Sequence, residues 1–304
     1  MRVFVTGATG FIGSAIVPEL IDAGHDVVGL ARSDQAAAAL TSAGAEVHRG
    51  SLEDLDSLRR AAAAADGVIH TAFIHDFSRI QNSGPIDQRA VETLGAALEG
   101  SGRPLVITSG TAVTGRGRLG TERDAGDPSG AGAHRVSSEQ IALSLAERGV
   151  RSAVLRLPPS VHGEGDHGFV PTLIQIARDK GVSAYVGDGS NRWASVHRLD
   201  AAHLFRFAVE AAPAGSVLHG VADEGVPTRE IADVTGRHLN LPVVSVSPED
   251  APEHFGFLAA FFGADVPASS ALTRERLGWE PVQPGLLSDL DQGHYFREAP
   301  AAAA

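Results

Sequence analysis

Along the first half of the chain, short apolar runs alternate with stretches whose apolar residues recur every three to four positions. The runs at residues 2–6, 26–31, 46–48, 67–71, 105–109 and 153–157 are predicted to be strands. The segments between them carry the helical period. Gly24, Gly44 and Gly149 stand where a C-terminal helix cap is needed. Strands spaced by helices form βαβ units, which close with right-handed crossovers into a parallel sheet. VIHTAF (residues 68–73) and PLVITSG (104–110) are nearly continuous apolar runs, as in strands covered on both faces.

After Pro158 the rhythm changes. Gly163, Gly165, Gly168, Gly187 and Gly189 punctuate long loops, and helical periodicity dominates from Pro227 onward. This predicts a second lobe that shares the sheet. Residues 193–197 read as a strand returning to that sheet, and Asp200 as the N-cap of a helix ending at Ala211. No internal repeat or interdomain linker is present.

Composition narrows the class. Hydrophobic residues make up 43% of 304 and charged residues 20%, enough for a substantial core in a soluble globular protein. Against 37 acidic residues stand 25 basic ones, a net charge of −12 that disfavours nucleic acid and anionic membranes as partners. No apolar stretch approaches the roughly 20 residues needed to span a bilayer. The opening MRVFVTGATG has too short an apolar run for a secretion signal. With no cysteine anywhere, disulfides, thiolate metal sites and thiol nucleophiles are excluded, and a cytoplasmic location is expected.

The first strand runs into Thr6-Gly7-Ala8-Thr9-Gly10-Phe11-Ile12-Gly13, followed by an amphipathic helix. Gly7 allows a tight turn, Gly10 close approach of backbone to a pyrophosphate, and Gly13 close packing of helix on strand. The phosphates would rest on unpaired N–H groups of the helix N-terminus. Placed after a strand and before a helix, this turn reads as a dinucleotide site rather than a bare glycine turn.

TGATGFIG resembles the phosphate turn of the extended short-chain dehydrogenase/reductases, the NAD-dependent epimerase/dehydratase group. VIHTAF is similar to that family's fourth strand, VITSGTAVTG to its fifth, and RLPPSVHGEGD to the stretch after the active-site helix. SVHRLDAAHLF and LGWEPVQPGL match later stretches in order, so the likeness covers most of the chain. It implies an α/β fold: a doubly wound parallel Rossmann sheet with a smaller, mostly helical C-terminal substrate lobe. The dinucleotide-binding core takes residues 1–160, with 190–222 returning to the sheet. The lobe takes 161–189 and 223–298, and residues 299–304 form a disordered tail.

The residue ending the second strand selects the cofactor. An acid there accepts both ribose hydroxyls, whereas an arginine favours a 2′-phosphate. Here Arg32 and Ser33 follow the strand, so NADP(H) is expected over NAD(H). Asp34 stands close enough to bind ribose if the loop curls back, and a merely solvated Arg32 is the plain alternative. The resemblance places further cofactor contacts at Ser51 and Leu52, at Thr71, Ala72 and Phe73, and at Leu157, Pro158, Ser160 and Val161. Ser51 departs from the family's aspartate-containing contact.

The family's chemistry uses a serine or threonine after the fifth strand and a Tyr-x-x-x-Lys pair on the next helix. Aligned on Val113-Thr114-Gly115, Gly110 occupies the serine position. Anchored on Glu139 and Pro158, Arg135 falls at the lysine and Ala131 at the tyrosine. A rival register puts His134 and Ser138 there. In both, the pair is absent: the only tyrosines are Tyr185 and Tyr295, and neither has a lysine four residues on. His134 shares a helix face with Ala131 and reads either as a replacement proton donor or as a half-exposed helix residue. Arg135 keeps a positive charge for ribose, and Ser109 and Thr111 flank the vacated serine position.

Other clusters fit less well. His162-Gly163-Glu164-Gly165-Asp166-His167 has no zinc-ligand spacing and reads as a substrate-lining loop, so no metal is expected. His70 and His75 bracket the end of the fourth strand and are candidates to face the site. His197 and Asp200 read as a strand end and a cap. Trp193, Phe255, Phe257, Phe261 and Phe262 are either pocket wall or core. The function expected is NADPH-dependent reduction of a carbonyl (or imine) on a small, partly apolar molecule held over Thr71 to Phe73 and the 158–161 loop. An NAD(P)-dependent epimerase or dehydratase, and a non-catalytic NADP(H)-sensing protein, stand as alternatives. The expected partner is a small-molecule substrate, and a homodimer is left open.

Overall fold

The computed structural model of the protein describes residues 1–74, 80–115, 117–129 and 132–297; of residues 80–82 it describes the backbone alone. His75, Ala131 and the 299–304 tail, all named above, lie outside the described residues. The first half alternates β1 (Arg2–Thr6), α1 (Gly13–Asp22), β2 (Asp26–Ala31), α2 (Asp34–Ser42), β3 (Glu46–Arg49), α3 (Leu55–Ala63) and β4 (Gly67–His70). It continues through α4 (Ile80–Leu98), β5 (Pro104–Gly110), α5 (Ala133–Ser144) and β6 (Arg151–Leu157). The second half adds β7 (Ser160–His162), α6 (Phe169–Lys180), β8 (Ser183–Val186), β9 (Arg192–His197), α7 (Arg198–Ala211) and β10 (Ser216–His219). After these come β11 (Asp223–Pro227), α8 (Thr228–Leu239), β12 (Val243–Val246) and several short helices.

Seven strands form one parallel sheet in the order β10-β6-β5-β4-β1-β2-β3. The chain reverses its direction of travel between β1 and β4. That switch point opens a crevice at the carboxyl ends of the strands, where such sheets bind ligands. Register aligns Thr6 with His70 across β1 and β4, and Ser109 with Arg156 across β5 and β6. Val3, Val5 and Ile16 anchor an apolar layer on the α1 and α7 side, and Phe4, Leu58 and Leu94 one on the opposite face. Burial of each such side chain stabilises the fold by about 1.5–3 kcal/mol relative to exposure. Gly24, Gly44 and Gly149 take positive φ just past their helices, as their spacing predicts.

The second half corrects three expectations. Residues 193–197 are a strand, but β9 pairs with β7 and β11 in a separate three-stranded sheet, and only β10 rejoins the large one. The lobe is also less purely helical than expected, since β8 and β12 form a further parallel pair. Its own core gathers Leu173, Trp193, Phe255, Leu258 and Phe262. The N-cap of α7 is His197, whose Nδ1 accepts from the Leu199 N–H at 3.3 Å. Asp200 lies buried within the first turn, and its carboxylate accepts from the Val282 and Gln283 N–H groups, each at 3.0 Å. Its carbonyl accepts from Trp279 Nε1, so this residue docks the LGWEPV stretch rather than capping a helix.

Candidate active site

The glycine turn leaves β1 at the switch point. Gly7 has φ +69°, and a Cβ there would stand 2.6 Å from Ala72 N. A Cβ on Gly13 would fall 2.0 Å from the Gly7 carbonyl oxygen, so helix and turn are in backbone contact. The Gly10 N–H donates to that same carbonyl at 2.9 Å. No side chain caps α1, and the Phe11 and Ile12 N–H groups donate to nothing among the described residues. Thr9 and Gly10 are exposed. Free N–H groups on a turn without side-chain cover fit a dinucleotide pyrophosphate.

Beside the turn, the ends of β4, β5 and β6 and the start of α5 enclose a cavity of about 260 Å³. Of the residues singled out from sequence, Ile12, Thr71, Phe73, Ser109, His134, Arg135, Leu157, Pro158 and Val161 line it. Val113, Phe169, Phe261 and Val266 supply much of the apolar wall. Among the described residues, its only ionisable lining residues are His134 and Arg135. The Ser109 and Thr111 hydroxyls are buried without a hydrogen-bond partner among the described residues, but only Ser109 reaches the cavity. Ala72 and Ser160 do not line it, and the Ser160 hydroxyl is likewise buried and unpaired.

Helix α5 is fixed from beneath. Val136, Glu139 and Ala142 recur at a spacing of three on its buried face. Arg156 of β6 donates to both Glu139 oxygens, at 2.9 and 2.6 Å, with both side chains almost fully buried. This bidentate pair sets which α5 residues face the cavity. The Arg135 guanidinium lies 3.5 Å from the Phe73 ring centroid, donates to the Thr108 carbonyl at 3.3 Å and stands 3.8 Å from Asp87. Ser138, the lysine equivalent in the rival register, instead donates to Asp87 at 2.6 Å.

Asp87 of α4 joins these groups to the sheet. The Thr6 hydroxyl bonds His70 Nδ1 at 2.8 Å, and His70 Nε2 bonds Asp87 at 3.2 Å. Satisfying both contacts with a neutral ring requires the tautomer that donates from Nε2 to the carboxylate. Burial pushes the Asp87 carboxyl upward, but His70, Arg135 and Ser138 together hold it below the usual carboxylate value. His134 stacks obliquely on Phe73 at 5.5 Å between ring centroids. Burial and then the Arg135 charge hold its imidazole below the ordinary histidine value, against an opposite pull from Asp87. The neutral ring therefore predominates at neutral pH.

Several expectations fall elsewhere. His70 faces Asp87 rather than the cavity. None of residues 162–167 lines the cavity: His162 bonds Asp289 at 2.8 Å, and Asp166 accepts from Tyr295 at 3.0 Å. No group of three or more potential metal ligands comes together among the described residues. Trp193, Phe255 and Phe262 belong to the lobe core, Phe257 is exposed, and Phe261 alone of that set reaches the cavity. Arg32 is exposed and makes no ion pair or hydrogen bond with a described residue. Ser33 caps α2 by accepting from the Ala36 N–H, and Asp34 is paired with Arg49 at 2.5 Å. Ser51 and Leu52 follow β3, away from the cavity. Sequence reasoning missed Asp87, which lies 17 and 51 residues from its partners His70 and Ser138, and it missed Phe169, which no local pattern separates from core.

Comparison with known proteins agrees with this geometry. An uncharacterized protein of Schizosaccharomyces pombe is 53% identical over 97% of this chain and 100% of its own length. The 2-alkyl-3-oxoalkanoate reductase of Stenotrophomonas maltophilia is 29% identical over 99% of this chain and 92% of its own. A solved structure of DesIV, a dTDP-glucose 4,6-dehydratase from Streptomyces venezuelae with NAD bound, shares the fold with a TM-score of 0.78 at 21% identity over 97% of each chain. No helix among the described residues is long and apolar enough to cross a membrane. The profile of one family matches residues 3–219, the stretch from β1 through β10 that builds the large sheet, and the chain belongs to the NAD dependent epimerase/dehydratase family.

Proposed function

We propose that this protein is an NADPH-dependent reductase of a carbonyl (or imine) on a small, largely apolar molecule. The observation that carries the reading is the cavity itself. It abuts the glycine turn, has an apolar wall, and offers one unpaired hydroxyl beside two adjacent basic side chains. A charged or polyhydroxylated substrate would leave polar groups unsatisfied against Phe169, Phe261 and Val266. The relative named as a 2-alkyl-3-oxoalkanoate reductase is in keeping with such a substrate. The uncommitted Arg32, the Ser33 hydroxyl and the occupied Asp34 carboxylate favour a 2′-phosphate over a bare ribose diol.

The turn from Gly7 to Gly13 would hold the pyrophosphate, and Thr71, Phe73, Leu157 and Pro158 would flank the nicotinamide, which when bound supplies the reducing equivalent. Ser109 Oγ is free to donate a hydrogen bond to a carbonyl oxygen. His134 replaces the missing tyrosine as proton source: the protonated ring is a minor species at neutral pH, but it gives up its proton readily. Arg135, always charged, raises the local potential where negative charge develops on oxygen. The apolar wall excludes water.

A second reading, a cofactor sensor without chemistry, draws on a cavity lining in which the described residues include neither tyrosine nor lysine. Both are tested by mixing purified protein and NADPH with a panel of apolar ketones and 3-oxo esters. Substrate-dependent loss of the reduced-nicotinamide absorbance is expected. Tight NADPH binding without consumption would favour the sensor, and substrate turnover with retained cofactor an epimerase.

A further inference from the structure

Helix α7 packs beside α1, and its first residue, Arg198, comes to the phosphate turn from the second half of the chain. The Arg198 guanidinium lies 5.2 Å from the ring centroid of Phe11, the turn residue whose N–H is unpaired. Arg198 is half-buried yet makes no ion pair or hydrogen bond with any described residue through its side chain. Every other buried or half-buried arginine among the described residues has a carboxylate or carbonyl partner. Arg103 donates to the Ala65 carbonyl, Arg151 to that of Val209, Arg192 to Asp265 and Arg206 to Glu19. A cation removed from bulk water without a counter-charge is costly, so the exception needs a reason.

The surroundings hold Arg198 in place without neutralising it. A Cβ on Gly163 would lie 3.2 Å from Arg198 Cγ, so the 163–167 loop rests directly on the arginine stem. The loop's half-buried acid, Asp166, spends its oxygens on the Gly168 N–H at 2.7 Å and the Tyr295 hydroxyl at 3.0 Å. Burial pushes that carboxyl above its ordinary value, which further weakens it as a counter-ion. His167, from the same loop, meets Phe11 edge-on at 5.8 Å. Phe11 thus has contacts with both Arg198 and His167, and it is the residue whose own N–H, with that of Ile12, donates to nothing among the described residues.

We infer that Arg198 is a dinucleotide-binding residue that pairs with the pyrophosphate, completing from the second half of the chain a site that the glycine turn begins. A guanidinium fork matches two phosphate oxygens, and its contact with Phe11 would order the turn as the cofactor docks. The inference rests on the dinucleotide reading of the turn. It makes cofactor binding a joint property of the sheet core and of the β9–α7 junction.

Calorimetric titration tests this, using the unmodified protein, Arg198→Ala and Arg198→Lys, with NADPH, inorganic pyrophosphate and adenosine 2′-phosphate as probes. Arg198→Ala should weaken NADPH roughly 10- to 100-fold, the range of a charge-assisted bond. Arg198→Lys should recover part of the loss. Pyrophosphate should compete with NADPH in the unmodified protein and poorly in Arg198→Ala, while adenosine 2′-phosphate, which lacks the pyrophosphate, should bind both equally. Unchanged NADPH affinity in Arg198→Ala overturns the inference alone. An equal loss for adenosine 2′-phosphate also overturns it, by assigning the arginine to the 2′-phosphate or to the fold. An unmodified protein that binds neither NADPH nor NADH overturns the dinucleotide reading and this inference with it.

Discussion

Replacing Asp87 with asparagine removes one charge from the buried set beneath the cavity and leaves the side-chain shape nearly intact. Asp87 is 2% exposed and the Arg135 side chain 13%, so solvent screens their interaction weakly. At 3.8 Å and an effective dielectric of about 20, their attraction is roughly 4 kcal/mol. Asparagine can still accept from Ser138, but its amide cannot offset the arginine, and breaking such a pair typically costs about 3–5 kcal/mol. A net loss of about 3 kcal/mol corresponds to a melting point lower by roughly 5 °C for a chain of this size. Asp87 has a folded pKa below its unfolded one, so its contribution is fully present above about pH 4 and is lost as pH falls through the folded value. Thermal melts of both proteins at pH 7 should show the full gap, and melts below pH 4 a narrowing one. Adding Arg135→Met should return part of the loss, because no cation is then left uncompensated. Equal midpoints at pH 7, or a gap that widens on acidification, would refute the reasoning.

His134→Ala should lower turnover about 10²–10⁴-fold while NADPH affinity stays within a few-fold of the original. Because the imidazole titrates below its ordinary value, kcat/KM should rise as pH falls from the alkaline side, keep rising past about 6.5 and level off only below the lowered value, and that rise should vanish in His134→Ala; an identical pH profile in both would remove the histidine from the chemistry. A Cβ on Gly10 meets only the Gly7 carbonyl, at 3.2 Å, so Gly10→Val should fold with its helical signal intact and lose dinucleotide binding; calorimetric binding that survived would place the cofactor elsewhere. Arg32→Asp should erase or invert a preference for NADPH over NADH worth about 1–3 kcal/mol, read as a ratio of dissociation constants, and equal constants in the unmodified protein would end the NADP(H) assignment.

The large sheet was legible because its strands are buried on both faces and so leave continuous apolar runs, as in residues 104–110, where β5 forms over its full length. The glycine turn was legible for a local reason: Gly7 and Gly13 have no room for a Cβ. Pairing was harder to read. Residues 193–197 look like any strand, and nothing local says that β9 joins β7 and β11 instead of β10's sheet. The cap of α7 was misplaced because an aspartate three residues past the strand is the commoner cap, whereas here His197 Nδ1 serves and Asp200 is drawn to residues more than 80 positions away. On α5, the burial of Glu139 against Arg156 is a contact between segments that no local pattern announces. Asp87 and Phe169 gave no signal, since each acquires its role only when distant segments meet. Arg198 lay in a stretch singled out for its likeness to the family, yet its lack of a counter-charge is visible only in three dimensions.

The claim that matters most is net reduction of a carbonyl in the cavity, and isotope transfer tests it most directly. Purified protein is incubated with NADPH carrying deuterium at the transferable C4 position and, in turn, with each of a panel of apolar ketones and medium-chain 3-oxo esters, and each product is read by mass spectrometry. One deuterium on the new carbinol carbon for each cofactor oxidised is the result this account predicts. Failure of all tested carbonyls to take up the label, with the labelled cofactor bound and unspent, would contradict it.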